Sequence, residues 1–137
     1  MDKNLLEICS YDGPGYRPQV DYGAWRVAIM NYGEAPEAIK RVERHNETDE
    51  IFVLTKGQGV LFVGDGAVSL ERLLPQPMEP GKIYNVKKAV WHATIMSLDA
   101  SMLIVENCDT SEQNSDFLEL KPEHKALILE TARRELP

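Results

Sequence analysis

The sequence predicts an all-β fold, a barrel or double-sheet jelly roll with one C-terminal helix. Three observations carry this reading. Short runs rich in aromatic and β-branched residues succeed one another along most of the chain. Turns built on glycine and proline separate them, and helical spacing is confined to the stretch from Pro122 to Leu136. Regularly spaced short strands with so little helix belong to barrels and sandwiches rather than to alternating α/β folds.

Size and charge narrow the function. A chain of 137 residues is one domain by length. A formal charge of −7, with Lys87-Lys88 and Arg133-Arg134 the only basic pairs, argues against nucleic acid as a partner. No apolar run approaches the ~20 residues of a membrane span. The opening M-D-K-N-L-L-E-I is too polar for a signal peptide, and Cys9 and Cys108 read as free thiols. Together these predict a cytoplasmic protein with no membrane partner.

The elements follow in order. Residues 1–23, including Y-D-G-P-G-Y-R-P, read as an ordered N-terminal arm. The barrel spans 24–110. Its first strand is Ala24–Tyr32, bounded by Gly23 and Gly33, with Trp25 in the core. Ile39–His45 alternates unusually, since Ile39, Arg41, Glu43 and His45 share one side while Lys40, Val42 and Arg44 share the other. Neither side is an ordinary apolar face, and a strand lining a polar cavity has this pattern.

Glu50–Leu54 and Val60–Val63 flank the hairpin turn Gly57-Gln58-Gly59, with Glu47 and Asp49 in the preceding turn. Gly64-Asp65-Gly66 leads into Ala67–Leu73. Pro75, Pro77 and Pro80 then mark a stretch that is no central strand. Gly81–Val86 and Trp91–Met96 are strands, with Tyr84 in the core or on the pocket wall and Trp91 on the outer sheet face. Ser101–Glu106 is nearly continuous in apolar residues and reads as buried on both faces. The terminal helix, 121–136, has Pro122 in its first turn and Ala126, Leu129, Ala132 and Leu136 at helical spacing. Glu130 and Arg134 form an i,i+4 pair, and His124 faces solvent.

Chemistry concentrates in two stretches. Glu43–Gly57 reads E-R-H-N-E-T-D-E-I-F-V-L-T-K-G and Gly81–Met96 reads G-K-I-Y-N-V-K-K-A-V-W-H-A-T-I-M. The first resembles the cupin superfamily motif HxHxxxxExxxxxxG. Glu50 and Gly57 fall on its glutamate and glycine, His45 on its second histidine, and Glu43 stands at the first. The second resembles GxxxxxPxGxxHxxxN, matching at Gly81 and His92, with Lys87, Ala89 and Met96 at the proline, glycine and asparagine positions. The resemblance implies a small cupin-type double-stranded β-helix, a jelly-roll barrel with a C-terminal α-helix. It also implies an arm that crosses to a partner subunit in a homodimer.

That geometry would converge His45, Glu50, His92 and Glu43 on one divalent transition metal, Mn, Fe, Ni, Zn or Co. Glu43 would be a fourth ligand or a general base, or would pair with Arg41 or Arg44. Arg41 points into the same cavity and would clamp an anionic group of a small-molecule ligand, or neutralise the carboxylates. The expected function is a metal-dependent enzyme acting on a sugar derivative or organic acid by isomerase, epimerase or lyase chemistry. The alternative is a non-catalytic module binding a small molecule or a metal.

Overall fold

Side-chain alternation along ten strands decides the layering of the molecule. The computed structural model describes residues 1–137. Its strands are β1 (Gly15–Tyr22), β2 (Trp25–Asn31), β3 (Arg41–His45), β4 (Glu50–Lys56), β5 (Gly59–Asp65), β6 (Arg72–Pro77), β7 (Ile83–Val86), β8 (Trp91–Met96), β9 (Ser101–Asn107) and β10 (Ser115–Glu119). Helix α1 (Pro122–Glu135) ends the chain. Two five-stranded sheets form, ordered β1-β2-β9-β4-β7 and β10-β3-β8-β5-β6, with every pairing antiparallel. This is the all-β jelly roll with a C-terminal helix that the sequence predicts.

Two separate apolar clusters follow from period-two alternation. Phe52 and Leu54 of β4, Leu61 of β5, Met96 of β8, and Met102 and Ile104 of β9 meet between the sheets. The intervening residues of β5 and β8, Val60, Phe62, Trp91 and Ile95, face outward and are buried under Leu70, Leu73, Leu120 and Ile128. The second sheet is therefore covered on both faces, by the first sheet on one and by α1 with its neighbouring loops on the other. The inner face of β8 is left to His92, Thr94 and Met96.

Several elements differ from the sequence reading. Gly15–Tyr22, the latter part of the expected ordered arm, forms a strand that pairs with β2 along its length as a sheet edge. The strand expected at Ala67–Leu73 lies at Arg72–Pro77; its prolines are tolerated because β6 is an edge strand. β10 lies beyond the expected barrel limit at residue 110 and pairs with β3. Ser101–Glu106 is buried on one face only, the face of Met102, Ile104 and Glu106.

Aromatic and helical faces also change. Trp91, expected on the outer face, does point outward but is only 2% exposed, because α1 and the Gly66–Leu70 loop cover that face. Trp25, expected in the core, is 45% exposed at the end of β2. The inward face of α1 carries His124, Ile128 and Thr131, so His124 is buried; of the expected stripe Ala132 and Leu136 pack beside them while Ala126 is exposed. Arg134 bonds Glu135, not Glu130.

Turn chemistry fixes the site-bearing strands. Gly57 has φ +72°, and a Cβ there would stand 2.6 Å from Ala100 Cα and 2.8 Å from Ala100 N. Both atoms are backbone, so Gly57→Ala is expected to cost about 2 kcal/mol or more. That corresponds to a Tm fall of about 6–10 °C, and a shift below about 2 °C in a thermal melt would contradict this account. Ala89 occupies the motif's glycine position and keeps its left-handed backbone at φ 65°, at a cost of about 1–2 kcal/mol. Its N–H donates to the His45 carbonyl at 2.8 Å, so the turn before β8 is held against β3 despite the missing glycine.

Candidate metal centre

β3 and β8 form the second-sheet wall of a cavity of about 320 Å³ between the sheets, and β4 and β9 form the facing wall. Strand parity directs Arg41, Glu43 and His45 inward, while Val42 and Arg44 turn to the other face. Glu43 lies directly across from His92 in the β3–β8 register, and His45 across from Ser115 in the β3–β10 register. Glu50 opens β4 on the opposite wall. His45, Glu50 and His92 are all buried, whereas the Glu43 side chain is 45% exposed.

The four predicted ligands converge. Glu50 Oε1 stands 2.8 Å from His92 Nε2 and 3.2 Å from His45 Nε2. Glu43 Oε1 stands 3.8 Å from His45 Nε2 and 3.9 Å from His92 Nε2. Around an ion with bonds of about 2.0–2.2 Å, adjacent ligand atoms are separated by about 2.8–3.6 Å. The Glu50 contacts fall inside that range, and Glu43 needs only a small inward movement of a half-exposed side chain.

Tautomers favour the same reading. His92 Nδ1 lies 3.0 Å from the Val90 carbonyl, which can only accept, so this nitrogen carries the proton. The neutral ring then presents a lone pair at Nε2. His45 Nδ1 is held 2.8 Å from Ser115 Oγ, so its Nε2 also faces the cavity. Orientation of a ligating imidazole through its other nitrogen is the usual arrangement around a metal. Glu50 Oε1 and His92 Nε2 are both buried without a hydrogen-bond partner. Such atoms cost free energy unless something electrophilic lies between them, so the donor set fits a divalent cation.

Carboxylate electrostatics follow from burial and neighbours. Burial opposes ionisation of Glu50, but the adjoining His45 and His92 imidazoles outweigh it and hold its pKa well below the usual carboxylate range. Burial and then the contact with Glu50 push Glu106 above that range, with Arg26 pulling it back. Burial also opposes charging His45, while Glu50 and then Glu43 raise its pKa overall.

Two expected side-chain roles resolve. Glu43 pairs with neither candidate arginine: Arg44 bonds Asp116 at 2.9 Å on the far side of β3, and Arg41 lies over the Phe117 ring at 4.0 Å. Tyr84 packs against the inter-sheet core, and its hydroxyl accepts the Glu79 N–H at 2.9 Å, away from the cavity. Glu106, Arg26 and Tyr16, which also line the cavity, escaped the sequence reading. The available signal was parity, since Glu106 continues the Met102 and Ile104 face of β9. Arg26 lies directly opposite Glu106 across the β2–β9 pair.

No family model matches the chain, and no curated protein sequence matches it. Solved structures do. A Streptomyces Pac13 variant with uridine superposes with TM-score 0.58 at 11% identity, covering 82% of this chain and 85% of that one. Pac13 is described as a nucleoside dehydratase. The capsular polysaccharide assembling protein CapF from Staphylococcus aureus gives TM-score 0.60 at 16% identity. That match covers 81% of this chain but only 34% of CapF, so the chain spans about a third of that protein. KdgF from Halomonas gives 0.53 at 9% identity, covering 72% of this chain and 81% of its own. At these identities the likeness is one of fold. No helix of the structure is long and apolar enough to cross a membrane. With two facing antiparallel sheets, a C-terminal helix and these neighbours, the chain adopts the cupin fold.

Proposed function

We propose that the protein is a metal-dependent enzyme acting on a polar small molecule, a sugar derivative or organic acid, by proton transfer of the isomerase, epimerase or lyase type. The observation that carries this reading is the position of Glu43. Its carboxylate lies within 3.9 Å of both imidazole Nε2 atoms yet is half-exposed to the cavity. A carboxylate beside the ion but reachable by substrate is placed to take and return a proton. His45, His92 and Glu50 would hold Mn, Fe, Ni, Zn or Co, with Glu43 a weaker fourth ligand that can exchange between the ion and a substrate proton. When bound, such an ion would polarise a substrate oxygen and acidify the neighbouring C–H or O–H.

The chain's own residues supply the rest. Arg41 is exposed on the cavity wall with no carboxylate partner, its guanidinium stacked on Phe117. There it would bind a carboxylate or phosphate of the substrate. Phe52, Met30 and Ile104 belong to the apolar part of the lining and would limit water beside the reacting atoms. Among the neighbours, Pac13 is a dehydratase seen with a nucleoside and CapF serves polysaccharide assembly, which favours a sugar-derived substrate. The exposed Leu5, Leu6 and Ile8 of the N-terminal segment support a homodimer, and the two free thiols support a reducing, cytoplasmic setting.

Glu43→Gln tests the proposal. On a panel of sugar derivatives and hydroxy acids, the metal-loaded parent is expected to turn over at least one. The variant is expected to retain bound metal while kcat falls about 100-fold or more, the scale of a lost general base. Parent protein that binds panel members without turnover would move the assignment to a binding module. A variant with full kcat would remove Glu43 from the chemistry.

A further inference from the structure

Glu106 is the buried carboxylate of the cavity that the four predicted ligands leave out. It is 5% exposed, and its ligating oxygen forms a group with His45 and Glu50 in which all such atoms lie within 4.8 Å of one another. One of its oxygens is anchored. Glu106 Oε1 accepts from Arg26 at 2.6 Å and from the Tyr16 hydroxyl at 3.4 Å. The other, Oε2, is buried with no hydrogen-bond partner.

Arg26 is itself fixed. It donates to the Cys108 carbonyl at 3.2 Å and the Thr110 carbonyl at 3.4 Å, and the Tyr16 ring lies 5.6 Å from its guanidinium. An anchored carboxylate with one unpartnered oxygen beside His45 and Glu50 has the form of a ligand and its support.

Charge leads the same way. Glu43, Glu50 and Glu106 surround two imidazoles, and Arg26 is the one cation bonded to any of the three. Two buried carboxylates in contact repel strongly where the dielectric is low. One divalent ion and Arg26 together balance all three.

We infer that Glu106 is a fifth donor to the centre, giving a set of two histidines and three carboxylates that raises preference for Mn(II) or Fe(II) relative to Zn(II). The inference rests on the metal-centre reading above. Opposite ligands of a six-coordinate ion with bonds of about 2.1–2.2 Å stand about 4.2–4.4 Å apart, within the 4.8 Å that bounds the ligating atoms of Glu106, His45 and Glu50. Oxygen-rich sets with five or six donors suit Mn(II), whereas Zn(II) gains least beyond four.

Calorimetric titration of chelator-stripped protein with Mn(II) and with Zn(II) tests it. Glu106→Gln is expected to weaken Mn(II) binding tenfold or more and Zn(II) binding threefold or less. Glu106→Asp, which keeps the charge, is expected to retain most of the parent's preference. An unchanged Mn(II)-to-Zn(II) affinity ratio in the glutamine variant overturns the inference while leaving the four-ligand centre intact. A parent that binds neither ion overturns both. Co(II) substitution of the parent adds a readout that needs no variant. Weak visible bands of five- or six-coordination are expected, and the intense bands of a tetrahedral site would overturn the fifth donor.

Discussion

Adding a divalent ion that the centre accepts is expected to raise the Tm of the parent protein by about 10 °C or more, and not to raise that of the His45→Ala/His92→Ala double variant. An ion present at about a thousand times its Kd stabilises a folded state by about 4 kcal/mol. For a chain of this size each kcal/mol corresponds to about 3–5 °C. The double variant removes both Nε2 donors, including the one 2.8 Å from Glu50.

The barrel itself should survive. The inter-sheet core rests on residues such as Phe52, Leu54, Met102 and Ile104, and neither histidine belongs to it. Glu50 is left buried with fewer partners, so the metal-free variant should melt a few degrees lower, in keeping with the ~1–3 kcal/mol of an unsatisfied polar group. Far-UV circular dichroism with differential scanning fluorimetry reads both effects. An equal metal-induced shift in parent and double variant would place the ion elsewhere.

The pH dependence of this shift has a definite sign. Burial lowers the His45 pKa, but Glu50 and Glu43 more than compensate, so in the metal-free protein it lies above the ordinary histidine value. The proton and the ion compete for the same lone pair. Metal stabilisation should therefore be fully developed above that raised pKa and fade as the pH falls through it.

Trp91→Ala is expected to have the largest effect on stability, about 3–5 kcal/mol, the range for deleting a fully buried large aromatic side chain. The ring packs in the outer cluster, its Nε1–H donates to the Gly66 carbonyl at 2.9 Å, and the Arg44 guanidinium lies 4.3 Å from its centre. Its loss leaves a cavity beneath the sheet that carries His92. Against a typical stability of ~5–15 kcal/mol this is a large fraction, so Tm should fall by about 10 °C or more. Trp25→Ala, at a side chain 45% exposed, should cost less than about 1 kcal/mol. Comparable losses at the two tryptophans would contradict the layering described here.

The tryptophans also show where the sequence was legible and where it was not. Alternation correctly set Trp91 opposite His92, but whether an outer face meets water depends on what covers it. Here the covering residues, Leu70, Leu120 and Ile128, come from distant parts of the chain. The convergence of His45, Glu50 and His92 was legible because strand parity and motif spacing are local. Arg26 and Glu106 were not, because eighty positions of chain separate them and only the β2–β9 register brings them together. β1 and β10 were missed for a related reason: as edge strands, each buries little apolar surface and has weak alternation.

Metal content by mass spectrometry tests the central claim most directly, on untagged protein purified without chelator, beside His92→Ala. Near-stoichiometric divalent metal in the parent and its loss in the variant is the expected result. The claim would be contradicted by parent protein that stays metal-free after reconstitution with Mn, Fe, Co, Ni and Zn, or by full occupancy in the variant.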